Sequence, residues 1–231
     1  MAYAGIHHLA LITNDMKAQL EFFTQVAGMK LVALFPMHGA GDVATHCFIE
    51  IGKDNYLSFV EIEGKKVEPV EGVSHAENAF GAVAGGAMQH VSFNVETIGE
   101  LRNLRDRLRS NKYAVFGPVD HGMSQSIYVG APEGILLEFS TSDTCPGLVP
   151  LSEWMNEDAA ARIGVSPEDM ARYASPPEFE GRDGAIEQPR GDDVVLPKVI
   201  ARERFEKLGY LSDEEFKKVA GYASQKEESA A

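Results

Sequence analysis

Val119–Glu138 reads V-D-H-G-M-S-Q-S-I-Y-V-G-A-P-E-G-I-L-L-E, with a histidine, a tyrosine and a carboxylate set around a compact Ala-Pro-x-Gly turn. Apolar residues alternate on both sides of the turn, which predicts a β-hairpin. Pro132 presets φ and Gly134 can take a positive one, so Ile127–Gly130 and Ile135–Phe139 become neighbouring strands. Such a hairpin aims Tyr128 and Glu138 into one space.

Upstream of the hairpin, the same order of elements occurs twice. Gly5–Thr13 reads as a strand, and Asn14 or Asp15 can cap an amphipathic helix that Gly28 stops; Met29–Phe35, Val43–Ile51 and Tyr56–Ile62 are three more strands. After a loop from Glu63 to about Gly86, the strand Met88–Val95, the helix Glu100–Asn111 and the strands Tyr113–Gly117, Ser126–Gly130 and Ile135–Ser140 repeat the pattern. The fold class is therefore α+β: two tandem βαβββ modules (5–62 and 87–141, joined by loop 63–86) forming a curved, barrel-like mixed sheet across residues 1–143. The registers agree, because His8 to His90 is a step of 82 residues and Ser58 to Glu138 a step of 80.

Residues 144–231 read as a helical C-terminal extension, with Leu151–Arg162, Ser166–Ala174, Pro197–Leu208 and a Ser212/Glu215-capped helix to about Tyr222; Ser224–Ala231 is expected to fray. Trp154, Phe179, Tyr210 and Phe216 are its anchors, or parts of a lid or subunit clamp over the site.

The net charge of −14 argues against nucleic acid and anionic membrane surfaces as partners. With no long apolar run and no signal-peptide pattern, the expectation is a cytoplasmic protein without a membrane span. Cys47 and Cys145 lack a C-x-x-C spacing and read as reduced thiols.

Strand alternation puts His8, His90 and Glu138 on the more polar sheet faces, and His7 on the other side. Two imidazoles and one carboxylate can form a facial triad suited to Fe(II), with Mn(II), Ni(II), Co(II) or Zn(II) as alternatives. Each residue taken alone has a plainer reading: a polar residue at a strand start for His8, a surface loop residue for His75, hairpin support for His121 and Tyr128. His38 and His46 stay unassigned, although His46 could line the pocket.

The modules, with I-H-H-L-A-L, M-Q-H-V-S-F and L-L-E-F at the proposed metal strands, resemble the vicinal oxygen chelate (glyoxalase, bleomycin resistance and extradiol dioxygenase) superfamily. Val119–Glu138 is similar to the signature of its type I extradiol ring-cleaving dioxygenases, which His121, Ile127, Tyr128, Ala131, Pro132, Gly134 and Glu138 fill without a gap. The resemblance implies His8, His90 and Glu138 as iron ligands, His75 as the acid–base residue, and His121 and Tyr128 as contacts to substrate and activated oxygen. It implies an Fe(II)-dependent enzyme whose partners are a small aromatic diol and O2. A homo-oligomer, a dimer by default, suits an open two-module sheet. Many members carry the site in the second of two duplicated domains, whereas this chain has one pair of modules and an unfamiliar tail. Two rivals remain: a metal-dependent isomerase or lyase, for which Ser58 stands where a first-module ligand is needed, and a metal-free ligand-sequestering module.

Overall fold

The structure, a computed structural model, describes residues 5–39, 42–149, 151–182, 184, 186–191, 194–196 and 201–220. Module 1 runs β1 (His8–Ile12), α1 (Met16–Leu20) continuing as a π-helix (Glu21–Val26), β2 (Lys30–Gly39), β3 (Asp42–Gly52) and β4 (Asn55–Ile62). Module 2 runs β5 (Val91–Asn94), α2 (Ile98–Ser110), β6 (Val115–Asp120), β7 (Gln125–Gly130) and β8 (Leu136–Thr141). Each module is its own four-stranded mixed sheet, ordered β1-β4-β3-β2 and β5-β8-β7-β6. The curved sheet is thus two open four-stranded sheets, in which, among the described residues, β1 pairs with β4 and β5 with β8 at their edges.

The repeat is visible in the register. Ala10 pairs with Ser58 across the parallel β1–β4 ladder, as Ser92 pairs with Glu138 across β5–β8. Alternation then sorts each sheet into two faces. Cys47, Ile49, Leu57 and Phe59 of one sheet and Phe93, Ile127, Val129, Leu137 and Phe139 of the other are buried in one shared cluster, which includes Phe22 and Phe23 of the first helix and Leu101 and Leu108 of α2. The polar faces lie on the far side of each sheet from that cluster.

The helices obey their caps. Asp15, not Asn14, caps α1 by accepting from the Ala18 amide at 2.9 Å, while Asn14 reaches the Val67 backbone. Thr97 and Glu100 form a full capping box, so α2 starts at Ile98, before the expected Glu100. The π-helical turn carries two adjacent rings, Phe22 and Phe23, into the core, which a regular α-turn spaces apart.

Polar contacts help to join the modules. The Arg107 guanidinium donates to the carbonyls of Val26 and Gln25 at 2.8 and 2.9 Å. Glu133, at the tip of the β7–β8 turn, accepts from Thr13 Oγ1 (2.5 Å), the Asn14 amide (2.8 Å) and Gln19 Nε2 (2.9 Å).

The predicted helix over 151–162 is two short ones, α3 (Leu151–Trp154) and α4 (Glu157–Arg162), because Asn156 caps the second with its side chain. Beyond them come α5 (Pro167–Ala174), capped by Ser166 and Asp169, α6 (Arg202–Leu208) and α7 (Asp213–Ala220), where Ser212 and Glu215 form the expected reciprocal bonds. Among the described residues, 144–175 cluster with the modules, and those from Pro176 onward belong with 37–39 and 42 to a second compact unit. Within that second unit Tyr210 packs on Phe205 and under Arg190. Residues 197–200, 221–222 and the expected frayed end 224–231 lie outside the described residues, as does the side chain of His38. No helix among the described residues is long and apolar enough to cross a membrane.

Candidate active site

The β7–β8 ladder sets Tyr128 directly opposite Glu138 and Ser126 opposite Ser140. Beside them, the β6–β7 pairing slips by one residue between Phe116 and Val119, and His121 follows directly on the end of β6. The Tyr128 hydroxyl donates to Glu138 Oε1 at 3.0 Å and lies 2.9 Å from His121 Nε2. Glu138 Oε2 is 2.9 Å from His90 Nε2, whose ring is oriented by a contact between its Nδ1 and the Gln89 amide oxygen. His121, Tyr128, Glu138 and His90 therefore form one continuous line of contacts on the polar face of the second sheet.

Glu138 is buried, with 8% of its surface exposed, and burial alone pushes its carboxyl pKa up. The hydroxyls of Ser126, Ser140 and Tyr128 and the neighbouring His90 outweigh that, so the group sits below the ordinary glutamate value and is anionic at neutral pH. Tyr128 moves the other way. Burial first, then its bond to and the charge of Glu138, raise it to about 12, so it stays a donor.

His8 and His75 are not in this line. His8 Nδ1 is 2.9 Å from His7 Nδ1, and its ring meets Phe48 edge-on at 5.5 Å on the polar face of the first sheet. The expected separation of His7 from His8 fails locally, because His7 precedes β1 and is not bound by strand alternation. His46 stands on the same face between Phe35 and Phe48, with ring centroids at 5.3 and 4.7 Å. Its Nε2 is buried without a hydrogen-bond partner, and burial followed by nearby His8 lowers its pKa. Ser58, in the register of Glu138, is fully buried and bonds back to the Leu9 carbonyl at 3.4 Å.

His75 lies in the connecting loop with its Nδ1 3.2 Å from Ser74 Oγ. Its ring rests on Gly134, where a Cβ would fall 2.4 Å from His75 Cδ2 and where φ is +77°. It lines a mainly apolar cavity of about 420 Å³ with Leu11, Ile12, Met88, Glu133 and Leu136; Leu136 stands two positions before Glu138 on β8 and so shares its face. That volume suits a small ligand.

Glu133 was the unspecified residue of the Ala-Pro-x-Gly turn, and its φ of +60° is the only local sign of its role. Trp154 lies over Gly122, next to His121, so one tail aromatic does sit beside the site. Cys47 and Cys145 are free thiols, and burial raises the pKa of Cys47.

Tested against a metal, one imidazole and one anionic carboxylate 2.9 Å apart are a fitting pair of donors. The third ligand does not join them: among the described residues no group of three or more His, Cys, Asp or Glu is placed to hold an ion.

No curated protein matches the chain. A domain from Frankia sp. EAN1pec described as glyoxylase/bleomycin resistance protein/dioxygenase is 17% identical, covering 61% of this chain and 98% of its own, with a TM-score of 0.47. A possible glyoxalase from Bacillus cereus is 22% identical over 59% of this chain and 98% of its own, with a TM-score of 0.39. An antibiotic-binding protein from a Streptomyces species is 15% identical over 61% and 98%, with a TM-score of 0.43. The profile of one family, the Glyoxalase/Bleomycin resistance protein/Dioxygenase superfamily, matches residues 5–139, more than half of the chain and both βαβββ modules. The chain belongs to the glyoxalase/bleomycin resistance protein/dioxygenase superfamily.

Proposed function

We propose that this protein is an Fe(II)-dependent extradiol dioxygenase that opens the ring of a catechol-like aromatic beside its two hydroxyls, using O2. The observation that supports this reading is the unbroken contact line His121–Tyr128–Glu138–His90. A divalent metal bound there would bring the diol oxygens and O2 together and carry the redox change that closed-shell organics resist. Fe(II) is the first choice; Mn(II), Ni(II), Co(II) and Zn(II) suit the same donors.

The chain's own residues have separate tasks. His90 and Glu138 hold the ion, Glu138 kept anionic by its three hydroxyl neighbours. Tyr128, protonated at all working pH values, donates to a substrate oxygen or returns to Glu138. His121, in contact with the Tyr128 hydroxyl, accepts or returns a proton at Nε2. His75 faces the apolar cavity, where it can take a phenolic proton from a bound ring. Such an enzyme works in the cytoplasm on a soluble diol.

Ser58 counts against the isomerase or lyase reading, since its hydroxyl is turned to the backbone in the register where that chemistry needs a ligand. The cavity alone would suit a metal-free binding module. Anaerobic reconstitution with Fe(II), then a panel of catechols and O2, decides among them. A yellow ring-opened product with one O2 consumed per ring is expected. Bound metal without oxygen uptake favours the isomerase, and no bound metal favours the binding module.

A further inference from the structure

His90 and Glu138 meet at 2.9 Å through Nε2 and Oε2, and what holds each side chain from behind decides what that contact is. Behind His90 stands Gln89. Its side-chain Nε2 lies 3.2 Å from the Asn78 carbonyl and 3.3 Å from the Gly81 carbonyl. Carbonyls only accept, so the amide nitrogen, with its two protons, must take that end. The amide oxygen is left facing His90 Nδ1. It too can only accept, which puts a proton on Nδ1. A neutral imidazole has one ring proton, so Nε2 then turns a bare lone pair toward Glu138.

Behind Glu138 stand hydroxyls. Oε1 accepts from Tyr128 at 3.0 Å and from Ser140 at 2.9 Å. Ser140 has one proton and spends it on the carboxylate, the strongest acceptor in reach. Its contacts with Ser92 at 2.7 Å and Ser126 at 2.8 Å are therefore bonds that it accepts, Ser126 sharing its proton with Glu138. The three serines come from the neighbouring strands β5, β8 and β7 and polarise one another toward Oε1. Oε2 is the oxygen left to face His90. Two lone pairs at that distance repel unless a cation or an added proton joins them.

We infer that Gln89 is a positioning residue of the site: it holds the His90 proton on Nδ1 and so reserves Nε2 for the ion. Only the identity of what occupies Nε2 rests on the metal reading above; the place of the proton follows from the hydrogen bonds. The Asn78 carbonyl that orients the amide is itself held by the Gly81 amide at 2.9 Å, in the connecting loop that also carries His75. One loop thus sets the His90 tautomer and brings the proposed acid–base residue to the cavity.

A plainer role for Gln89 is to pin residues 78–81 and nothing more, and two substitutions separate the roles. Gln89→Leu removes both the acceptor for His90 and the donors to the loop. Gln89→Glu keeps an acceptor and removes the donors. The metal-free readout is nitrogen-15 NMR of the histidine rings in chelator, with His90 assigned by the signals that His90→Ala lacks. At about pH 8.5, well above the range in which free imidazole titrates, wild type and Gln89→Glu should carry the His90 proton on Nδ1. In Gln89→Leu it should move to Nε2, where Glu138 accepts it. A wild-type Nδ1 without a proton, or one that keeps its proton in Gln89→Leu, overturns the inference. So does a Gln89→Glu ring that behaves as in Gln89→Leu, because pinning alone then accounts for Gln89.

The second readout is Zn(II) affinity, measured by competition with a chromophoric chelator. Moving the proton to Nε2 blocks the ligand, so Kd should rise about 10- to 100-fold in Gln89→Leu, with Gln89→Glu binding at least as tightly as wild type. Equal Kd values for wild type and Gln89→Leu overturn the inference. Wild type that binds neither Zn(II) nor Fe(II), yet shows an Nδ1 proton that depends on Gln89, upholds the placement of the proton and overturns the metal reading.

Discussion

Replacing Glu133 tests how the two modules are fastened. Its carboxylate takes three bonds from module 1: from Thr13 Oγ1 at 2.5 Å, the Asn14 amide at 2.8 Å and Gln19 Nε2 at 2.9 Å. Thr13 is 2% exposed and Gln19 is fully buried, so Glu133→Ala strands the Thr13 hydroxyl and leaves Gln19 Nε2 with only its long 3.4 Å bond to the Pro132 carbonyl. A stranded donor costs about 1–3 kcal/mol and a weakened one less, and because they share one acceptor the sum is about 2–5 kcal/mol. For a unit of this size that lowers Tm by about 5–15 °C. The backbone supplies an internal control. Glu133 sits at φ +60°, a conformation that costs an L-residue about 1–2 kcal/mol, so Glu133→Gly should be less damaging than Glu133→Ala by about that amount. Thermal unfolding followed by circular dichroism reads both. A Glu133→Ala loss under about 2 °C, or a Gly variant less stable than the Ala variant, would refute the clasp.

Other expectations concern the site. Tyr128→Phe removes a hydroxyl that holds Glu138 down and contacts His121, so kcat/KM should fall about 10²- to 10⁴-fold with metal content kept. The folded-state pKa of Glu138 lies below its unfolded value, so its stabilisation is fully present above the ordinary 4.5 and is lost as pH falls through the lower folded value; in Tyr128→Phe this acid limb should move to higher pH. Unchanged acid unfolding in the variant would count against the bond. Gly134→Ala puts a Cβ 2.4 Å from His75 Cδ2 at a φ of +77°, and should cost about 1–2 kcal/mol and displace His75, lowering turnover but not metal content. His46→Phe removes a partnerless nitrogen from between two rings and should leave protomer stability unchanged or raised; a loss beyond about 2 kcal/mol would mean that Nε2 has a partner.

Much of this arrangement was legible in the sequence because it is local or periodic. The 82- and 80-residue steps became matching strand registers, Pro132 and Gly134 made the turn, and Ser212 with Glu215 made the cap. The hairpin brought Tyr128 and Glu138 together as expected, and His90, just ahead of β5, meets the same carboxylate. Alternation could not say whether the faces of two modules meet, because that depends on how helices pack behind the sheets; among the described residues His8 contacts His7 and Phe48 of its own module. Glu133 escaped notice for a related reason: a turn pattern constrains φ, and nothing in it names an acceptor for residues more than a hundred positions away. The break between α3 and α4 was missed because Asn156 interrupts a pattern whose apolar spacing continues across it.

The most direct test of the proposed site is the metal content of wild type against His90→Ala and Glu138→Ala after anaerobic loading with Fe(II), read alongside catechol-dependent oxygen uptake. The expected result is close to one ion per chain and one O2 per ring for wild type, and neither ion nor uptake for the two variants. Metal retained in both variants would contradict the assignment of His90 and Glu138, wherever in the protein the ion then sat.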